Sequence, residues 1–419
     1  MNLTGKIKGL LQHSAVRNGM WMYALQIFNT VIPLLTLPYI TRILGEAGYG
    51  VFSFALNLIG YLQVFIEYGF PLSATREVVL CNGDKSKLSH VFSSVLYARL
   101  CLLLTSLLIL VGVVFLFGEN QLQKLCMVIL SICLLGTCLQ QDWMFQGMQK
   151  MKYISVINIL GRVVSVILIF CLVKQSDDLL LYCLLYSVPL LFGGVVGTVF
   201  AKKAFALSFV RLSFKQIMEA LKKGFFVFTT SLSAKIFGAI GITFLGFFST
   251  DATVGIYSAI QKIPQTIMLA WSPISQVLYP ISSQRMQQSF PEGRKFVKKM
   301  HLLFILPFLL LSLGIAVFSK PLVGLAFGPE YAAKAFWVIP LLVWMLLGIN
   351  NNFLGVQTLL ASGRDKEYSA CFQFGVICTI VLNFVFIYFG DGLGAALSPA
   401  ISEFLLTIAL LLQIRKIKE

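Results

Sequence analysis

The chain has 419 residues, 58% of them hydrophobic and 12% charged, with a mean hydropathy of +0.86. That composition excludes a string of soluble domains and leaves a polytopic membrane protein. The formal net charge of +16 raises nucleic acid as a partner, but the placement of the charge assigns it to membrane topology instead.

The N-terminus, "MNLTGKIKGLLQHSAVRN", is basic and mildly amphipathic, and no A-x-A-like site follows the first apolar run, so it reads as retained and not as a removable signal. Apolar runs of about 20 residues or more, enough for a hydrocarbon core of roughly 30 Å, then recur along the chain. The first half gives spans near 17–40, 49–70, 88–117, 120–147, 151–173 and 178–201. The second gives 224–248, 254–281, 297–319, 334–360, 368–389 and 392–414. The expected fold is therefore all-α, with twelve transmembrane helices. Nine cysteines without a C-x-x-C pair and three scattered histidines, His13, His90 and His301, read as buried small hydrophobes and surface imidazoles, with no metal site.

With both termini placed in the cytoplasm, the inner segments carry 24 of the 33 basic residues, from Lys6, Lys8 and Arg17 to Arg415, Lys416 and Lys418. The outer loops hold Arg42, Lys124, Lys174, Lys320 and Lys334. This asymmetry sets the orientation.

Two halves are visible. "EAGYGVFSF", Glu46 to Phe54, returns 205 positions later as "DATVGIYSA", Asp251 to Ala259, and each opens the second helix of its half. "GMQKMKYIS" from Gly147 is echoed by "GRDKEYS" from Gly363. Six helices per half give both the same orientation, as expected for a duplication about an axis along the membrane normal. The expected lobes are residues 1–208 and 209–419. An amphipathic cytoplasmic linker is expected over about 202–223.

Polar groups collect on particular faces. The second span aligns Ser53, Asn57, Gly60, Val64 and Glu67 at helical spacing, and the eighth aligns Ser258, Gln261, Lys262, Gln265, Ser272 and Gln276. Asn18, Asn29 and Thr36 share a face of the first span, which Pro33 and Pro38 bend, and Pro264, Pro273 and Pro280 interrupt the eighth. Such features persist at membrane depth where they face protein or a wet cavity, and ordinary interhelical hydrogen bonding is the other reading. Four cations lie within spans: Arg99, Arg162, Lys235 and Lys262. Three acids do so, Glu67, Asp142 and Glu403, with Glu403 alone at the depth of the cations. The excess of positive charge points to a cavity for an anion. Arg99, Arg162, Lys235, Lys262, Asn57, Gln261 and Gln265 are the candidate substrate-binding residues. Glu67, Asp142 and Glu403 are the candidate coupling residues, and Pro33, Pro38 and Arg42 the candidate gating residues. Pairing with Glu403 or with backbone carbonyls is the alternative for any one cation.

No phosphate-binding Gly-rich loop, metal spacing or outer domain accompanies these residues, so no enzyme is expected. "LPYITRILGEAGYG", "IEYGF", "DWMFQGMQKMKYIS" and "ASGRDKEYS" resemble the corresponding stretches of bacterial Wzx-type polysaccharide flippases, in the superfamily of multidrug, oligosaccharidyl-lipid and polysaccharide exporters. The likeness runs over all twelve spans. It places Arg42, Gly45 and Gly50 on the family's Arg-x-Leu-Gly segment and Trp143 with Gly147 on its fourth-helix exit, while Gln149 stands where relatives often have an acid.

The resemblance implies a V-shaped exporter with a central cationic cavity, working by alternating access in the bacterial inner membrane. It also implies an undecaprenyl-pyrophosphate-linked oligosaccharide as cargo, moved from inner to outer leaflet, as in O-antigen assembly. Membrane lipids, a polysaccharide polymerase and a chain-length regulator are the implied partners, with no nucleic acid. No cofactor is expected beyond a coupling ion, a proton or sodium. The alternatives are a cation-coupled multidrug exporter and a non-transporting scaffold for glycosyltransferases. Cationic drugs would call for more carboxylates than bases in the cavity, and a scaffold leaves the buried charges without a purpose.

Overall fold

A computed structural model describes residues 14–116 and 120–417. Lys6, Lys8, His13 and Lys418 lie outside the described residues, and so do the side chains of Arg17, Asn18 and Asn29.

The described chain is helical nearly throughout and holds no strand. In hydrocarbon an apolar run must satisfy its backbone N–H and C=O groups within itself, and a helix does so. In chain order the helices are α1 (Ser14–Glu67), α2 (Phe70–Leu80), α3 (Lys85–Leu116), α4 (Gln121–Leu130), α5 (Ile132–Leu139), α6 (Asp142–Gly147), α7 (Met151–Leu172) and α8 (Leu179–Ala204). They continue with α9 (Phe214–Phe248), α10 (Asp251–Gln288), α11 (Phe290–Val317), α12 (Ser319–Phe327), α13 (Pro329–Ala332), α14 (Val338–Leu354) and α15 (Asp365–Arg415).

Among the described residues nine stretches are long and apolar enough to cross a membrane, so the chain is a multi-pass membrane protein. Two of the nine, Val31–Leu80 and Asp365–Arg415, run 50 and 51 residues, far beyond one crossing. Each turns partway. α1 leaves helical geometry at Gly45 (φ 66°), where glycine meets no steric penalty, and α15 does so at Asp391 (φ 50°). Asp391 is held by Ser249, whose hydroxyl donates to Oδ1, and by Thr253, whose hydroxyl donates to Oδ2 at 3.3 Å. α10 is not among the nine, because Lys262, its glutamines and three prolines lower its hydropathy. The span expected over 120–147 is broken twice, at Ser131 and at Gln140, whose backbone is extended (ψ 126°). Within the expected linker, residues 205–213 are irregular, and Ser89 and Ser93 of α3 accept the backbone N–H groups of Ser208 and Val210 at 3.1 and 2.9 Å. The helix that follows runs without a break from Phe214 to Phe248.

The chain divides into two compact units, Met1–Thr36 with Ala55–Leu232, and Leu37–Phe54 with Ser233–Glu419. In the first, a Cβ on Gly147 would stand 2.6 Å from Val78 Cγ1, so α6 lies tightly against α2. In the second, the sequence repeat meets itself. A Cβ on Gly50 would stand 1.7 Å from the carbonyl oxygen of Asp251, and one on Gly255 would stand 1.9 Å from that of Glu46. Each repeat thus presses its glycine onto the first residue of the other, a reciprocal contact with room for hydrogen alone.

Candidate functional site

The second unit carries two of the four cations. α10 buries Val254 to Gln261 and then, at intervals of one or two turns, Pro264, Trp271, Ser275 and Leu278. Its opposite side presents Lys262, Gln265, Ser272 and Gln276, all exposed or half-buried. Lys262 Nζ donates to Gln265 Oε1 at 3.3 Å, and Gln276 Nε2 donates to Ser272 Oγ at 3.2 Å. Lys235 on α9 is half-buried and within electrostatic reach of Lys262. α11 is different: its first turns expose Lys295, Lys298 and Lys299, but from Leu302 onward its exposed side chains are apolar, among them Leu302, Leu303, Leu306, Leu310, Leu313 and Val317, a face suited to lipid tails. An exposed ammonium at membrane depth costs about 2.5 to 3.5 kcal/mol against hydrocarbon, so the polar side of α10 calls for water or an anion beside it. Three prolines each remove an N–H from α10, which frees carbonyls along the helix.

Gln261 points the other way. It is 4% exposed, and its amide donates to the Tyr257 hydroxyl at 3.1 Å, inside the packing of α10. Asn57, on α1 in the first unit, is buried at 6% exposure.

The first unit treats its cations otherwise. Arg99 of α3 is 3% exposed, and its Nη1 donates to the carbonyl oxygens of Thr137, at 3.3 Å, and Gln140. Those carbonyls end α5, where the helix stops at Gln140 and its free acceptors and dipole favour a cation. Glu67 and Asp142 lie within the field of the same guanidinium, and the Phe70 ring sits 5.8 Å from its Cζ. Arg162 on α7 is half-buried, within reach of Tyr186 on α8.

Glu403, the acid at the depth of the cations, is 5% exposed in the second unit. Asn351 of α14 donates its amide to Glu403 Oε2 and to the Glu403 carbonyl, the latter at 2.8 Å. The Thr407 hydroxyl donates to Asn351 Oδ1 at 2.7 Å. This carboxylate therefore joins α14 to α15. One turn further along, the chain widens into a π-type turn at Gly355–Leu359, whose Gln357 is fully buried. Its amide donates to the Ser275 carbonyl at 3.0 Å, and its Oε1 accepts from Ser282 at 2.9 Å. Neither network was anticipated, although the polar run "NNN" at Asn350 to Asn352 was a signal for the first.

Of the remaining candidates, Arg42 donates from Nη2 to the Leu325 carbonyl, capping the last turn of α12. Pro33 is exposed and Pro38 half-buried on α1. Trp143 is buried at the start of α6, and Gln149 is exposed with a positive φ of 54°.

A family model described as "Polysaccharide biosynthesis protein" matches residues 15–286. The chain is 26% identical over 402 residues to a protein of Escherichia coli (strain K12) named "Putative O-antigen transporter", covering 96% of this chain and 97% of that one. Among solved structures it resembles the lipid II flippase MurJ in an inward closed conformation, at TM-score 0.72 and 13% identity, covering 96% of this chain and 87% of that one. It also resembles an inward-facing multidrug resistance transporter of the MATE family, at TM-score 0.67 and 13% identity, covering 92% and 98%. At these identities the two structures bear on the fold alone.

Proposed function

The chain belongs to the polysaccharide biosynthesis protein family, and from that premise we propose that it is a flippase for a lipid-linked oligosaccharide, not an enzyme. The cargo in this reading is an undecaprenyl-pyrophosphate-linked repeat unit, carried from the inner to the outer leaflet of a bacterial inner membrane by alternating access, with both termini in the cytoplasm. The observation that carries it is the side of α10 that bears Lys262, Gln265, Ser272 and Gln276, with Lys235 close by on α9.

A pyrophosphate cannot enter hydrocarbon bare, and its sugars need a wet polar path while the prenyl tail stays in lipid. Lysine ammonium groups suit a transient anion. They are compact, strongly hydrated point charges on flexible stems, able to follow a moving phosphate without the fixed geometry of a guanidinium pair. The name of the Escherichia coli relative, an O-antigen transporter, is consistent with such a cargo. The fold is shared with a multidrug transporter, but an organic cation would be repelled by Lys235 and Lys262.

The test is the leaflet distribution of the lipid-linked oligosaccharide in cells with and without the gene. Its accumulation on the cytoplasmic leaflet after deletion supports the proposal, and an unchanged distribution contradicts it.

A further inference from the structure

α10 carries two of its polar side chains where it is least able to hold its own shape. Pro273 and Pro280 withhold the N–H groups that would bond the Leu269 and Gln276 carbonyls, so two rungs of the helical ladder are missing around Ser272 and Gln276. A helix interrupted in this way bends, and its side chains move with the bend.

The missing stiffness comes from a neighbour. Gln357, in the π-type turn that follows α14, is fully buried. Its Nε2 donates to the Ser275 carbonyl at 3.0 Å and to Ser275 Oγ at 3.1 Å, and its Oε1 accepts from the Ser282 hydroxyl at 2.9 Å. Ser275 Oγ donates onward to Asn352 Oδ1 at 2.8 Å. Ser275 and Ser282 lie on one face of α10, before and after Pro280, so a single amide ties the helix on both sides of that proline. The wide turn is what delivers the amide. Within it the Thr358 hydroxyl donates to the carbonyl of Phe353, five residues back, at 2.8 Å, and at its start a Cβ on Gly355 would stand 2.6 Å from Tyr368 Cε2 of α15. Just before it, Phe353 packs on Trp271 of α10 with ring centroids 4.9 Å apart. Turns of this kind are rare, and this one aims an amide with both donors used at the weakest part of α10.

We propose that Gln357 is a positioning residue for the polar side of α10: from the neighbouring helix it replaces the rigidity that Pro273 and Pro280 remove, and so sets where Ser272 and Gln276 meet the cargo. This role rests on the flippase reading and deepens it, because the two ends of that polar side differ in chemistry. Lys262 is a point charge suited to phosphate. Ser272 and Gln276 are a neutral hydroxyl and a neutral amide, suited to sugar hydroxyls. Gln357 therefore governs how the sugars are held, and the phosphates are left to Lys262.

Hydrogen exchange of the full-length protein in phosphatidylethanolamine–phosphatidylglycerol vesicles tests the tie without cargo. Gln357→Leu, close in size, should quicken exchange over residues 274–283 roughly tenfold, and Ser282→Ala, which removes only one of the bonds, should do so less. Residues 254–261 should exchange as in wild type. Unchanged exchange over 274–283 in Gln357→Leu would overturn the proposal. Delivery of polymer to the cell surface, at matched membrane abundance, then separates positioning from mere stability. Gln357→Leu alone should lower delivery roughly tenfold, should lower it no further in a Ser272→Ala/Gln276→Ala background, and should multiply with Lys262→Ala. Multiplication in both backgrounds would make Gln357 a structural residue and overturn the role. Full delivery by Ser272→Ala/Gln276→Ala would overturn it as well, whereas the flippase reading stands or falls on the leaflet assay after deletion.

Discussion

Arg99 and Lys262 are both cations inside predicted spans, and the protein deals with them in opposite ways. Arg99 is sealed in the first unit at 3% exposure and spends its Nη1 on backbone carbonyls that a broken helix leaves free. Lys262 is exposed on the second unit and reaches no further than the Gln265 amide. The difference lies in what surrounds the charge. A helix end supplies fixed acceptors and a favourable dipole, so a planar guanidinium becomes part of the frame. The polar side of α10 offers Lys262 a side-chain amide and no helix end, so its ammonium is not built into the frame. Counting buried bases therefore overstates the binding site.

The contrast can be broken most forcefully at Arg99. Arg99→Ala strands the carbonyls of Thr137 and Gln140 and leaves Glu67 and Asp142 without a counter-charge, a loss of about 3 to 5 kcal/mol. Thermal unfolding in detergent should show a markedly lowered midpoint for the variant. Arg99→Lys should recover part of it, since an ammonium keeps the charge but not the planar fork. An Arg99→Ala protein as stable as wild type would remove the structural role.

Next in size is the helix crossing. Gly255→Ala puts a methyl group where the Glu46 carbonyl stands 1.9 Å away, and Gly50→Ala meets Asp251 at 1.7 Å, so each should cost about 1 to 3 kcal/mol through forced separation of the helices. Because the contact is reciprocal, the double variant should cost less than the sum of the two, as measured by the same unfolding midpoints. Strict additivity would mean that the two glycines do not share one crossing.

The smallest effect is expected at Glu403. Glutamine keeps an oxygen for the Asn351 amide, so Glu403→Gln should cost no more than about 1.5 kcal/mol. If Glu403 were the counter-charge of Lys235, Glu403→Gln should partly restore surface polymer to Lys235→Ala. No rescue is expected.

The apolar spans were legible because hydropathy at membrane length leaves the backbone few alternatives, and the repeat was legible because Glu46–Gly50 and Asp251–Gly255 carry an acid and a glycine at the same spacing. The polar side of α10 was readable for the same reason, as helical periodicity sorts Lys262, Gln265 and Gln276 from Trp271 and Leu278. The break at Gln140 was not. It occurs in "CLQQDW", without glycine or proline, and is held by Arg99 from a helix 41 positions away. Gln261 shared the periodic stripe with Lys262 yet turns to Tyr257, because neighbouring positions on a helix do not face the same side. The partners of Glu403 were hidden because Asn351 lies 52 residues earlier in the chain and its amide has no spacing signature.

The charge on α9 and α10 is tested most directly by exchanging Lys235 at matched membrane abundance and measuring delivery of polymer to the cell surface. Lys235→Ala should insert normally, since it removes a costly group, and should reduce delivery roughly tenfold to a hundredfold, the effect of losing one charge-assisted contact of about 1.5 to 3 kcal/mol. Lys235→Arg should keep part of the activity, and Lys235→Glu should fall below alanine by repelling the phosphates. Full delivery by Lys235→Ala at normal abundance would contradict the assignment of this lysine to the cargo.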